Sequence, residues 1–135
     1  MIIIDAGPIV ALINSRDEHH RWARTKIREL NEPMLTCDAV LSEVLFLVSQ
    51  SENGITRFTE ILASGAIQSD FVTSANIHEL AALIARYHTL PMSFADACLV
   101  RLSEIHDGST VLTLDSHFQI YRKNGGEPIP VITPG

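Results

Sequence analysis

Met1-Ile2-Ile3-Ile4-Asp5-Ala6-Gly7-Pro8 opens the chain. A strand with one wet face alternates apolar and polar residues. Three consecutive isoleucines that stop at an acid instead read as a short strand buried on both faces, as inside a parallel sheet. Asp5-Ala6-Gly7-Pro8 ends that strand and starts a helix near 9–13, with Pro8 in the first turn, where its missing N–H is not needed. The same succession continues outward. A helix is expected over 18–30, with Ala23, Ile27 and Leu30 inward and Asn31-Glu32-Pro33 breaking it. A strand at 34–37 leads to Asp38, read as the cap of a helix over 39–49. Gly54 marks a turn before a helix at 56–63, and Gly65 ends it. A strand at 67–72 precedes a helix opened by Ser74 or Asn76 and running to Tyr87, with Leu80, Leu83, Ile84 and Tyr87 on one stripe. Ser93 caps a helix to His106, and Gly108 stops it. A strand at 111–114, a short helix at 115–121, a turn at Asn124-Gly125-Gly126 and a last strand at Val131–Ile132 complete the reading. Strands alternating with helices predict an α/β fold, a parallel sheet flanked by helices on both faces.

The length of 135 residues suits one domain, expected to span 1–135. Hydrophobic residues at 46% and charged residues at 19% supply a core and argue against disorder. No apolar run approaches a membrane span, so no membrane partner is expected. The N-terminus has no basic segment and meets an acid at position five, so no leader is expected and the cytoplasm is the expected compartment. Cys37 and Cys98 lie in or beside apolar stretches, match no zinc spacing and read as buried thiols in a reducing compartment. The formal net charge of -6 is the wrong sign for an ordinary nucleic-acid binder. Carboxylates gathered around a metal ion are neutralised by it, however. The basic residues are also clustered: Arg16, Arg21, Arg24, Lys26 and Arg28 are five of the ten.

Four of the sixteen acids stand in unusually apolar text. Asp5 follows Ile2-Ile3-Ile4. Glu43 sits within Ala39-Val40-Leu41-Ser42-Glu43-Val44-Leu45-Phe46-Leu47-Val48, a helix apolar almost all round. Asp96 sits within Phe94-Ala95-Asp96-Ala97-Cys98-Leu99-Val100, and Asp115 follows Val111-Leu112-Thr113-Leu114. Asp5 and Asp115 are predicted at the carboxyl ends of strands, Glu43 and Asp96 in the early turns of helices. Ligand crevices of open parallel sheets lie outside the carboxyl ends of the strands, so all four are expected in one crevice. At an effective dielectric near 20, two carboxylates about 4 Å apart repel by on the order of 4 kcal/mol. Such a group calls for protons or a cation. All-oxygen ligands favour Mg²⁺ or Mn²⁺, ions that activate water for phosphodiester hydrolysis and stabilise the leaving oxygen. Each acid also has a plain structural reading. Asp5 shapes a turn, Asp96 closes a capping box begun by Ser93, and Asp115 caps a short helix. Glu43 is the hardest to explain in that way.

Taken in order and spacing, strand-Asp5, helix-Glu43, Phe94-Ala95-Asp96-Ala97 and Thr113-Leu114-Asp115-Ser116-His117-Phe118 resemble the PIN domain, over essentially the whole chain. More narrowly the chain resembles the VapC-type toxin ribonucleases of bacterial toxin–antitoxin pairs. Asp5-Ala6-Gly7-Pro8-Ile9-Val10-Ala11-Leu12 with Asp17-Glu18-His19-His20-Arg21-Trp22-Ala23 looks like one branch of them. The resemblance implies a PIN-like sheet between helices, a Mg²⁺- or Mn²⁺-dependent endoribonuclease, a homodimer, and a small antitoxin whose tail covers the active site. It makes Asp5, Glu43, Asp96 and Asp115 the metal-binding acids, with Asp5 and Asp96 the surest direct ligands. It makes Thr113 a hydroxyl that orients one of them. RNA maturation or DNA cleavage without an antitoxin is the alternative within the class, and an inactive binding module the alternative outside it.

Arg21, Arg24 and Arg28 share one helix face, which either grips an RNA backbone or is simply solvated. His19 and His20 are adjacent on a helix and point apart, so they are not a metal pair. His117 either stands at the crevice mouth or is an exposed polar residue. A phospho-acceptor domain would need a lysine after a late strand, and the lysines are Lys26 and Lys123. A phosphatase with a nucleophilic Asp5 would carry a second Asp where Gly7 stands.

Overall fold

The computed structural model describes residues Met1–Gly135. In chain order the elements are β1 (Ile2–Ile4), α1 (Ala6–Ile13), α2 (His20–Leu30), β2 (Met34–Thr36), α3 (Asp38–Val48) and α4 (Gly54–Ser64). Then come β3 (Ile67–Ser69), α5 (Ile77–Arg86), α6 (Phe94–Ile105), β4 (Thr110–Leu112), β5 (Arg122–Lys123), β6 (Glu127–Pro128) and β7 (Val131–Ile132). Short 3-10 turns at Thr73–Asn76 and Ser116–Gln119 precede α5 and follow β4.

Five strands form a parallel sheet in the order β3-β2-β1-β4-β7, as the apolar opening strand requires. β1 is central, and Ile3 and Ile4 are wholly buried. The chain steps outward from β1 to β2 to β3, then returns past β1 to add β4. Right-handed crossovers put the helices of the outward steps on one face and those of the return on the other. The helices α1 to α4 therefore lie on one face, and α5 and α6 on the other. The reversal falls between β1 and β4, the switch point where such sheets hold ligands. No helix is long and apolar enough to cross a membrane.

Local differences from the sequence reading have local causes. Asp17 Oδ1 accepts the His19 N–H at 2.8 Å and its carbonyl accepts the His20 N–H, so α2 begins at His20 and not at 18. Cys37, not Asp38, occupies the cap position of α3. Asp38 lies in the first turn, where the helix dipole favours an acid, and accepts the Ser69 hydroxyl at 2.6 Å. β3 ends at Ser69, short of 72. The turn at Asn124-Gly125-Gly126 joins β5 and β6, a hairpin whose two strands have only two residues each, too short for alternation to mark them. Leu80, Leu83 and Tyr87 are buried as the stripe on α5 requires, while Ile84 is exposed.

Gly54 begins α4 where it passes closest to α3. A Cβ there would stand 2.0 Å from the Val48 carbonyl oxygen. That oxygen belongs to the backbone and accepts the Ser51 N–H, so it has no room to yield. Gly54→Ala should lower stability by about 3 kcal/mol, the upper range for overpacking. Urea denaturation followed by circular dichroism checks this, and an unchanged midpoint would show that the α3–α4 approach is looser.

Candidate metal centre

The parallel pairing of β1 with β4 sets Ile4 opposite Leu112, and the Asp5 N–H donates to the Leu112 carbonyl at 3.0 Å. The two chain segments leaving these strands therefore run side by side. Thr113 on one meets Asp5 on the other: its buried hydroxyl donates to Asp5 Oδ2 at 2.7 Å and accepts the Asp115 N–H at 2.9 Å. Asp5 Oδ1 accepts the Ala6 N–H at 2.7 Å, so Asp5 is also the N-cap of α1. Asp115 in turn caps the following 3-10 turn by accepting the His117 N–H at 2.9 Å. The plain structural readings and the clustering of acids hold together, because both caps at strand ends put their carboxylates on one cavity.

Asp96 arrives from the opposite face on α6. Ser93 caps that helix by accepting the Asp96 N–H at 3.0 Å. The Asp96 carboxylate does not close a capping box. Its Oδ2 accepts the hydroxyl of Tyr121 at 2.8 Å. Tyr121 is itself fully buried, packed edge-on against Tyr87 and Phe118. A buried phenol needs a partner, and here it fixes an acid in place. Sequence reasoning missed this residue. Its one signal is the spacing of Phe118 and Tyr121, three apart in a short helix that must turn an apolar face inward.

An open cavity of about 440 Å³ is lined by all four expected acids, Asp5, Glu43, Asp96 and Asp115, together with His117, Ser93, Pro91 and the Gly7–Leu114 wall. A side chain at Gly7 would press on Leu114 at 3.1 Å. No lysine or arginine lines this space. Oxygens of Asp96 and Asp115 and a ring nitrogen of His117 lie within 4.8 Å of one another. His117 thus faces the cavity, the first of its two expected places. Glu43 is exposed at the rim and makes no hydrogen bond within the chain. The apolar run around it is not a buried surround, since Leu45, Phe46 and Leu47 face solvent. Arg21, Arg24 and Arg28 are exposed on α2 and line no part of this cavity. His20 Nδ1 pairs with the Ala11 carbonyl at 2.7 Å, which fits a structural histidine. Cys37 and Cys98 are buried and face each other. The interaction with Cys98 holds the Cys37 thiol below its usual range, and the same interaction together with burial pushes Cys98 up.

Burial raises the Asp5 carboxyl to about 6, against the lowering effect of the Thr113 and Ala6 donors. Burial likewise raises Asp96, opposed by the Tyr121 hydroxyl and reinforced by the Asp115 charge. Burial and the Asp96 carboxylate push the Tyr121 phenol well above its usual range, so it remains a donor. The donor set fits a hard divalent cation: carboxylate oxygens, two of the acids desolvated, with no lysine or arginine to neutralise them.

An acid whose folded pKa exceeds its unfolded value holds its proton more tightly in the fold. It disfavours the native state increasingly as pH rises. For Asp5 the loss begins near pH 4 and levels off above about 6, at about 3 kcal/mol. Asp5→Asn removes the charge but leaves the Thr113 hydroxyl short of an acceptor, which offsets about 1 kcal/mol. In EDTA at pH 7.5 the variant should therefore melt several degrees above the native protein, and the gap should close as pH falls to about 4. Equal melting temperatures at pH 7.5 would show that Asp5 ionises without penalty.

The sequence model of the PIN domain matches residues 2–124. Ribonuclease VapC26 of Mycobacterium tuberculosis is 27% identical over 135 residues, covering 97% of this chain and 99% of that protein. The crystal structure of Mycobacterium tuberculosis VapC20, a sarcin–ricin-loop-cleaving toxin, superposes with a TM-score of 0.72 at 19% identity, covering 82% of this chain and 87% of that one. Rickettsia felis VapBC2, bound to a DNA fragment from its promoter, superposes with a TM-score of 0.67 at 15% identity over the full length of both chains. The two structures share the fold. With the domain matched across nearly its whole length, the chain belongs to the PIN-domain family.

Proposed function

We propose that the chain is a divalent-metal-dependent endoribonuclease, the toxin of a toxin–antitoxin pair acting in the cytoplasm. The observation that carries the reading is the pair of buried carboxylates, Asp5 and Asp96, opening with Asp115 on a cavity free of lysine and arginine. Asp5 and Asp96 would hold Mg²⁺ or Mn²⁺, with Asp115 and Glu43 contributing directly or through water. When bound, such an ion supplies Lewis-acid activation of water and of the phosphodiester. The chain's own residues do the rest. Thr113 holds the Asp5 carboxylate in one orientation, and Tyr121 does the same for Asp96. Glu43, exposed and unpaired at the rim, would orient the attacking water and take its proton. Arg21, Arg24 and Arg28 present an exposed cationic face to flanking phosphates. RNA as substrate is supported by the ribonuclease name of the 27% identical relative, and a small antitoxin partner by the VapBC2 likeness.

A homodimer is part of the same proposal. Leu45, Phe46 and Leu47 on α3, with Ile55 and Leu62 on α4, leave large apolar side chains on the surface of two helices that pack together, and Phe46 is 78% exposed. A patch of this kind fits a protein interface. We assign it to a second copy of the chain. Phe46→Glu should shift the protein from dimer to monomer in sedimentation at micromolar concentration. A native protein that sediments as a monomer would remove this assignment.

Purified protein should cut a panel of structured and single-stranded RNAs with Mg²⁺ or Mn²⁺ and not with EDTA. Asp96→Asn should bring cleavage below detection without unfolding the protein, since the Asn oxygen still accepts the Tyr121 hydroxyl. Millimolar Mn²⁺ should raise the melting temperature of the native chain and not of the variant, because the ion binds only the folded site. Full activity in Asp96→Asn would remove this residue from the reaction.

A further inference from the structure

The cavity contains one lining group that is neither carboxylate nor neutral wall. His117 is carried by the 3-10 turn after β4, and the bond from its own N–H to Asp115 Oδ1 fixes that turn against the acid. Its ring Nδ1 stands 3.5 Å from Asp115 Oδ1, with the side chain 42% exposed. The ring leans on Tyr121, centroids 6.2 Å apart, and Tyr121 is the residue that holds Asp96. The tyrosine that holds the Asp96 carboxylate is thus also a neighbour of the imidazole. The result is a three-pronged group, Asp96, Asp115 and His117, each offering a ligand atom within 4.8 Å of the others.

We propose that His117 is a nitrogen ligand of the metal centre and gives it a preference for Mn²⁺ over Mg²⁺. The inference rests on the metal-dependent reading above and adds a residue and a selectivity to it. Mg²⁺ takes hard oxygen ligands and dehydrates reluctantly. Imidazole suits first-row transition ions, so replacing one oxygen by a ring nitrogen shifts affinity toward Mn²⁺. Two other roles compete for the ring. It could serve only as an ion-pair partner of Asp115, or only as a lid over Tyr121. Neither puts a nitrogen on the ion.

Pulsed electron paramagnetic resonance on the Mn²⁺-loaded protein reads the ligand directly, through the ¹⁴N coupling of a bound imidazole. The native chain should show that coupling, and His117→Gln should lose it. By calorimetry, His117→Gln should bind Mn²⁺ about tenfold more weakly, the lower end for loss of a group that supports a metal site, with Mg²⁺ affinity nearly unchanged. Mn²⁺ bound without ¹⁴N coupling, at equal affinity in both proteins, would overturn the role of His117 and leave the carboxylate site standing. No Mn²⁺ bound at millimolar concentration would overturn the metal centre itself and His117 with it.

Discussion

The Thr113 hydroxyl is the smallest group on which the site depends. It donates to Asp5 and accepts from the Asp115 backbone, so one oxygen couples the ends of two strands that are 108 residues apart in sequence. Its place follows from the register of β1 on β4, which sets Ile4 beside Leu112 and brings the next residues into step. A slip of one residue would turn Thr113 to the other face of the sheet and leave a buried carboxylate without its donor. The isoleucines of β1 are thus more than core. Their packing fixes the register, the register places the hydroxyl, and the hydroxyl aims the acid.

Burial and hydrogen bonding act against each other at this site, and burial prevails. Asp5 has two donors and Asp96 one, yet both titrate above the ordinary carboxylate range because desolvation exceeds what the donors return. The fold therefore holds these groups in a state that lowers its own stability. A bound cation would remove the penalty, and it would also answer the objection raised by a net charge of -6 toward the proposed anionic substrate. Beyond about 10 Å the remaining acids are largely screened at moderate salt, so the local charge of the crevice matters more than the total.

What the sequence made legible was set by the range of the interactions involved. The strand ending at Asp5, the Ser93 cap and the convergence of Asp5, Asp96 and Asp115 follow from local patterns and from the topology of parallel sheets. Tyr121 was not legible, because its meaning lies in a contact with Asp96 that no local pattern records. The exposure of Glu43 was not legible for a related reason. Apolar text around an acid implies burial only if every apolar neighbour has a partner within the chain, and Leu45, Phe46 and Leu47 do not. The β5–β6 hairpin was too short to show alternation at all, and α2 began late because Asp17 built a turn ahead of it.

The exposure of Glu43 bears on how assembly and chemistry share the molecule. Glu43, Phe46 and Leu47 are spaced i, i+3 and i+4 on α3 and so occupy one face of the helix. Phe46 lies about one turn, roughly 5 Å along the axis, beyond an acid that lines the cavity. A partner that covers the phenyl ring is therefore brought within reach of the rim of the crevice. α3 begins at the carboxyl end of β2 and its other face is pinned by Val40, Val44 and Val48 in the core, so it cannot rotate to separate the two. A sheet that gathers acids at its carboxyl edge, and a helix that leaves that edge with an unpartnered apolar face, put the proposed partner surface beside the proposed substrate surface.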